Sequence, residues 1–252
     1  MDLGLQDRVY LVTGGSRGLG RASAEALVAD GARVVLCSRD ADALAATARE
    51  LGSSVLAVPG DLSDAGVPQR LAAAAIARWD RLDGALISVG GPPPGAALSI
   101  DDATWRTAFE SVYLGPLRVA RAAAGAMGAG GGALAFVLSG SVRQPIENLA
   151  TSNGLRPGLA MLAKTMADEL GPRGIRVLGL LPGRIDTDRV RELDQKSGRP
   201  KRQRADYEKR IPLGRYGEPA EFGRVAAFVL SPAASYLTGV MIPVDGGIGR
   251  SL

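Results

Sequence analysis

The sequence predicts an α/β fold, a doubly wound parallel sheet of about seven strands with helices on both faces. Two observations carry the prediction. Short runs rich in Val, Leu and Ile alternate along the 252 residues with longer Ala-rich segments of helical spacing, the pattern of repeated strand and helix units. Most of these runs are apolar throughout, as in strands buried on both faces of a parallel sheet. The first run also passes straight into a glycine-rich turn and a helix, in VYLVTGGSRGLGRASAEAL, and this makes the expected sheet Rossmann-like.

Taken in order, strands are expected at 9–13, 33–37, 55–58, 84–89, 133–138, 176–181 and 240–244, most of them bounded by Gly, Pro or Asp. Helices are expected between them near 18–30, 41–51, 66–78, 102–127, 157–170 and 218–230. The fifth is expected to begin near Pro157 or to be kinked there, because proline lacks an N–H and disfavours helical geometry in the residue before it. Ser152-Asn153-Gly154 suits a turn or a helix cap. GAGGG at 128–132 lies between a helix and a strand and reads as a tight connection. No repeat or linker interrupts the pattern, so residues 1–252 read as one domain.

Composition narrows the chemistry. Hydrophobic residues make up 46% and charged residues 22%, and the net charge of +4 comes from basic and acidic residues mixed along most of the chain. No patch for nucleic acid and no polybasic membrane anchor stands out. The first residues, MDLGLQDRVYLVTGG, lack the basic start and apolar run of a signal peptide, and no apolar segment reaches spanning length, so a cytoplasmic location is expected. The single cysteine, Cys37, permits neither an intrachain disulfide nor a multi-cysteine zinc site and reads as a small core residue. With no histidine, Ser-His-Asp hydrolysis and most zinc chemistry drop out, and no metal is expected.

The strongest chemical signal is the turn after the first strand. Glycines let the backbone bend sharply and approach a pyrophosphate, while the following helix offers free N–H groups and the positive end of its dipole. Thr13-Gly14-Gly15-Ser16-Arg17-Gly18-Leu19-Gly20 matches TGxxxGxG, and at this point the chain resembles the short-chain dehydrogenase/reductase family. The resemblance runs over nearly the whole length. GDLSD at 60–64 is similar to the family's adenine-side acidic turn, RVLGLLPGRIDTD to its proline-glycine segment beside the nicotinamide, and IPLGRYGEPAEFGRVAAFVLSPAASYLTGVMIPVDGG to its C-terminal signature. The resemblance implies a cytoplasmic homotetramer using NAD or NADP on alcohols, ketones or acyl thioesters. It also implies cofactor contacts at Gly14, Ser16, Arg17, Gly18, Leu19, Gly20, Arg39, Asp61, Leu62, Gly90, Pro182 and Gly183. Its main subunit contacts fall on the helices near 102–127 and 157–170.

Charge favours NADP (NADPH) over NAD. NAD binders of this fold place an acidic side chain at the end of the second strand, where this chain has Ser38 and Arg39. Arg17 adds a second guanidinium, and the planar fork suits a 2′-phosphate. Asp40 keeps NAD open, and both arginines also read as solvated surface residues.

The departures from the family lie at the reacting end. Counting back from RGIRV at 173–177, Ser152 falls at the family's catalytic tyrosine and Arg156 at its lysine, while Ser139 falls at its serine. Val112 stands at the asparagine, Ile87 and Ser88 replace the usual Asn-Asn pair, and no Tyr-x-x-x-Lys exists in the chain. A phenol with an unperturbed pKa of about 10 suits proton donation to an alkoxide. Serine is a much weaker acid, and Arg156 stays protonated, able to stabilise an oxyanion or touch the nicotinamide ribose without donating. Ser139, Ser152 and Arg156 are therefore the candidate catalytic residues, with Ser141 as the rival of Ser139 and a cap or turn role open for Ser152.

The charged segment at about 187–210, TDRVRELDQKSGRPKRQRADYEKR, takes the place of the family's substrate lid. It reads as a solvated face, or as a basic attractor for an anionic substrate such as an acyl carrier protein or coenzyme A thioester. Two functions follow: an atypical NADP-dependent oxidoreductase reducing a ketone or 3-oxoacyl thioester, resembling the 3-oxoacyl carrier-protein reductases, or a non-catalytic NADP-binding sensor or scaffold subunit.

Overall fold

The computed structural model describes residues 2–251. Its seven strands are β1 (Val9–Thr13), β2 (Arg33–Cys37), β3 (Val55–Ala57), β4 (Gly84–Ile87), β5 (Gly132–Val137), β6 (Ile175–Pro182) and β7 (Met241–Val244). They form one sheet in the order β3-β2-β1-β4-β5-β6-β7, parallel throughout. The helices are α1 (Gly18–Ala29), α2 (Ala41–Leu51), α3 (Val67–Trp79), α4 (Asp102–Phe109), α5 (Gly115–Ala126), α6 (Ala150–Leu170), α7 (Asp188–Lys196), α8 (Pro200–Arg210) and α9 (Pro219–Leu230).

Alternation along the strands builds two cores. Val9 and Leu11 of β1 face Leu71 and Ala75 of α3, Ala120 of α5 and Ala163 of α6. Their neighbours Tyr10 and Val12 face Leu27 of α1, Leu44 of α2 and Phe222 of α9. Successive strand side chains point to opposite faces, so the wholly apolar run VYLV needs helices on both sides. Each fully buried Leu, Ile or Val stabilises the fold by about 1.5–3 kcal/mol relative to exposure.

The chain runs outward from β1 through β2 to β3, then returns to place β4 on the other side of β1. Strand order reverses there, which opens a crevice at the C-terminal ends of β1 and β4. Thr13 ties the two strand ends together: its Oγ1 donates to the Ser88 carbonyl at 2.7 Å and accepts from the Ser88 N–H at 2.8 Å.

Several boundaries differ from expectation. The helix expected over 102–127 is broken by a π-helical turn at Glu110–Leu114 between α4 and α5. Pro116 has no N–H to give to Val112, and the ladder widens here, with Gly115 N–H donating to the Glu110 carbonyl. The helix expected from 157 begins seven residues earlier, at Ala150, with Pro157 inside it. Proline removes one bond of the ladder, at a local cost of about 3 kcal/mol. Packing of Leu159, Ala160, Ala163 and Met166 into the core offsets it, and Asn153 pins the helix start by bonding both the N–H and the carbonyl of Ile146. β4 stops at Ile87 rather than 89, and the segment 187–210 contains α7 and α8, whose polar composition gave no helical periodicity to read. Among the described residues, no helix is long and apolar enough to cross a membrane.

Candidate functional site

The glycine-rich turn between β1 and α1 forms one wall of the crevice. Gly14 and Gly18 have φ of +63° and +59°, the left-handed region that favours glycine. A side chain on Gly20 would collide with the Gly14 carbonyl, so this glycine lets α1 begin directly against the strand end. Leu19, in the first turn of α1, is partly buried against the core, and Ser16 offers its carbonyl to Thr47 Oγ1 of α2 at 3.2 Å. No side chain caps the N-terminus of α1 and no acid lies in its first turn, so its first N–H groups and dipole face the turn unopposed.

Gly15 N–H donates to the Cys37 carbonyl at 3.0 Å, joining the turn to the end of β2. That bond brings Arg17 and Arg39 to one rim. Both are exposed, and neither forms an ion pair with a described residue. Asp61 sits across from them in a turn closed by the Ser63 N–H at 3.0 Å, a bond that holds its carboxyl below the usual range, with Arg39 adding in the same direction. Leu62 is buried and packs under Gly115. Cys37 is buried, which pushes its thiol up to about 11 and leaves it inert, as expected of a core residue.

The other strand ends complete the crevice. Gly90 is exposed, with open space where a side chain would be. Pro182 ends β6, and a Cβ on Gly183 would lie 2.6 Å from Asp245 Cα, so glycine is needed for the C-terminal segment to pass. Thr187 borders Gly18 across the crevice. Among the described residues there is no cluster of metal-binding side chains.

At the end of β5, Ser139 accepts a hydrogen bond from Ser141 N–H at 3.1 Å and caps a short helical turn. Ser141 and Ser152 are each 4% exposed, and their hydroxyls meet at 3.0 Å. Ser152 thus lies inside the first turn of α6, beside Ser141 rather than Ser139. Arg156 follows one turn later and is 5% exposed. Its Nη1 donates to the carbonyls of Val137 at 2.8 Å and Leu138 at 3.0 Å. Burial pushes its guanidinium down to about 10, and the like charge of Arg189 adds to the shift, so it stays a cation at neutral pH. Val112 is buried in the π-helical turn.

Arg189 was not singled out by sequence, because it lies in a run of charges. It begins the contact between α7 and the loop after β4: its Nη2 donates to the Pro92 carbonyl at 2.9 Å and its Nε lies 2.9 Å from where a Cβ on Gly91 would be. Thr151, next to Ser152, donates to the Pro93 carbonyl at 3.3 Å. One loop therefore brings Arg189 up to the start of α6. No tyrosine hydroxyl bonds to Ser139, Ser141 or Ser152 among the described residues; the buried Tyr216 phenol, raised by its burial, donates instead to Asp194 at 3.0 Å.

Helices α7 and α8 are fastened to the body by charge. Arg184 pairs with Asp194 of α7 at 3.1 Å, and Asp186 receives both Arg191 at 2.8 Å and Arg204 of α8 at 3.0 Å. The Arg184 guanidinium stacks 3.5 Å over the Tyr207 ring.

A reversing parallel sheet with a glycine cradle at its switch point defines the class of Rossmann-like dinucleotide folds. The family described as Enoyl-(Acyl carrier protein) reductase matches residues 14–249. The chain belongs to the short-chain dehydrogenase/reductase family of oxidoreductases. It is 35% identical over 241 residues to galactitol 2-dehydrogenase (L-tagatose-forming) of Cereibacter sphaeroides, covering 94% of this chain and 92% of that protein. It is 34% identical over 247 residues to cis-4-hydroxycyclohexanecarboxylate dehydrogenase of Sinomonas cyclohexanicum, covering 96% of each. The fold superposes with a TM-score of 0.95 on L-sorbose reductase of Gluconobacter frateurii, solved with NADPH and L-sorbose, at 28% identity over 100% of both chains.

Proposed function

We propose that this protein is an NADP(H)-dependent oxidoreductase that interconverts a secondary alcohol and a ketone at a rebuilt site, and that it works in the cytoplasm as a homotetramer. The observation that carries the proposal is the joining of an intact dinucleotide cradle to a buried pair of hydroxyls, Ser141 and Ser152, with Arg156 one helical turn away. The residues fit the cofactor. Gly14, Gly18 and Gly20 leave room for a pyrophosphate, Ser16 and Leu19 shape the turn, and Arg17 and Arg39 offer two unpaired cations to a 2′-phosphate. Asp61 and Leu62 suit the adenine side, and Gly90, Pro182 and Gly183 suit the nicotinamide side. Bound there, the cofactor supplies or accepts hydride at the substrate carbon.

The rest falls to the chain's own side chains. Ser152 donates a hydrogen bond to the substrate oxygen, Ser141 orients that hydroxyl, and Arg156 stabilises negative charge without giving up its proton. Ser139 holds the turn that presents Ser141 and takes part in the same oxygen pocket. Water supplies the exchanged proton. General acid catalysis is worth about 10²–10⁴-fold, so a site lacking a phenol is slower than its relatives while retaining proximity and oxyanion stabilisation. The segment 187–210 serves as the substrate lid, held by Arg184, Asp186 and Asp194. Its exposed Lys201 and Arg202 suit an acyl carrier protein or coenzyme A thioester as a larger substrate; salt-independent binding of an acyl-pantetheine would remove that option. Subunit contacts on α4 to α6 are checked by sedimentation, where a monomer contradicts the tetramer.

The test is NADPH oxidation with a panel of ketones, hydroxy compounds in the reverse direction, and 3-oxoacyl thioesters. Turnover above the protein-free rate supports the reading. Tight NADPH binding with no turnover on any of them replaces it with a non-catalytic NADP-binding sensor or scaffold, a role favoured by the way Arg156 spends one nitrogen on backbone carbonyls.

A further inference from the structure

We infer that the substrate is an oxo acid or hydroxy acid, its carboxylate held by Arg156 with Arg189 at the mouth of the site. The inference deepens the oxidoreductase reading and rests on it. Arg156 is almost wholly buried, yet no carboxylate of a described residue lies within ion-pairing distance of it. Only Nη1 has acceptors, the Val137 and Leu138 carbonyls, and Nε and Nη2 have none. Among the described residues, the one side-chain nitrogen or oxygen that is fully enclosed without a partner is Ser251 Oγ, so Nε and Nη2 of Arg156 share the slight exposure, 5%, that this residue keeps.

Arg176 supplies the contrast. It too is part-buried without a carboxylate, but its two terminal nitrogens are spread over the carbonyls of Val229, Leu237 and Ser231 at 2.8, 3.3 and 2.9 Å. That arginine is structural, with acceptors for both terminal nitrogens and only Nε left without one. Arg156 presents an edge of two N–H-bearing nitrogens with nothing to receive them, the fork that matches the two oxygens of a carboxylate.

Arg189 approaches the same place from α7. It is bonded to Pro92 while Thr151 is bonded to Pro93, so the loop carries a second guanidinium to the start of α6. Its own acidic neighbour, Glu192, stands at 3.7 Å. The like charge of Arg189 is felt at Arg156, and two such neighbouring cations favour a negative group beside them.

Ser152 and Arg156 stand at i and i+4 on one helix face, so one substrate can meet both. A carbonyl or hydroxyl at Ser152 and a carboxylate at Arg156 belong to an oxo acid or a hydroxy acid.

The experiment measures binding to the complex with oxidised NADP, in which no ketone is reduced. 2-Oxopentanoate, its methyl ester and 2-pentanone are titrated by isothermal calorimetry. 2-Oxopentanoate is expected to bind at least tenfold tighter than the other two. Arg156→Met is expected to abolish that preference, Arg156→Lys to keep part of it, and Arg189→Ala to reduce it severalfold, with NADP affinity changed less than threefold. If Arg156→Met does not fold, Arg156→Lys and Arg189→Ala carry the comparison. Equal binding of acid and ester overturns the inference, as does an Arg156 variant that loses NADP tenfold and keeps the acid preference. A preserved acid preference with no turnover on any ketone or alcohol would instead remove the oxidoreductase reading and leave the anion site standing.

Discussion

The hydroxyls of Ser141 and Ser152 meet 3.0 Å apart, with each residue 4% exposed. One comes from the turn after β5 and the other from the first turn of α6. Each completes the other, because a buried hydroxyl without a partner costs about 1–3 kcal/mol. Ser152→Ala is expected to lower kcat by tenfold or more, and Ser141→Ala by less. In stability, the double variant is expected to lose less than the sum of the two single losses, since the second removal takes away a group already orphaned. Denaturant unfolding of the four proteins checks this, and additive losses would mean that the two hydroxyls do not act as a pair.

Restoring the family's side chains is not expected to produce a fast enzyme. Ser152→Tyr must place a ring where a hydroxyl now contacts Ser141, and Arg156→Lys removes the fork that reaches Val137 and Leu138. A misplacement of about 1 Å costs on the order of a hundredfold in rate. The double variant is assayed with NADPH on ketones and acyl thioesters beside the parent. Rapid turnover by the variant alone would show a family site disabled by two side chains.

NADPH is expected to bind more tightly than NADH. Arg39→Ala should remove most of the difference, because losing a charge-assisted partner of a phosphate costs about 1.5–3 kcal/mol, and Arg17→Ala should remove part of the remainder. Titration of both reduced cofactors against parent and variants checks it, with NADH affinity as the internal control. Equal affinities in the parent rule out the assignment.

Two glycines separate folding from binding. Gly20→Ala sets a methyl group against the Gly14 carbonyl and is expected to lower both stability and cofactor affinity. Gly90→Ala meets nothing within 4 Å and is expected to leave the melting temperature unchanged while weakening NADPH alone. Thermal melts with and without NADPH distinguish the two, and a destabilised Gly90→Ala would contradict the open crevice.

Acid is expected to loosen the start of α9. Arg215 and the Glu218 N–H hold the Glu221 carboxyl down to about 2, from an ordinary 4.5. A carboxyl depressed in the folded state stabilises it fully above 4.5, and that contribution is lost as pH falls toward 2. Because the pair is largely solvated, its contribution is small. Glu221→Gln should therefore lower Tm slightly at pH 7 and by almost nothing near pH 2. A difference that persists in acid would assign the effect to something other than the carboxylate.

The glycine turn was legible because its signal lies in the backbone. Gly14, Gly18 and Gly20 mark it by having no side chain, and the strand and helix around them by periodicity. The reacting end was legible only as a set of substitutions. Pro157 argued for a late helix start, and with it a turn role for Ser152; core packing of α6 overrode that local preference and put Ser152 against Ser141. Arg189 left no signal, since one arginine among many in a polar segment differs from the rest only by the loop it touches.

The sheet's reversal between β1 and β4 also bears on how such a protein changes over time. Most of the candidate cofactor contacts come before Leu62, and the hydroxyls and the buried cation come after Val137. The two groups of residues hang on separate strand ends and share few side-chain contacts, so a substitution in one is close to energetically independent of the other. A lineage can exchange its proton chemistry wholesale while its grip on the nucleotide stays intact. A chain with a TGxxxGxG turn and no Tyr-x-x-x-Lys string is consistent with such separable change.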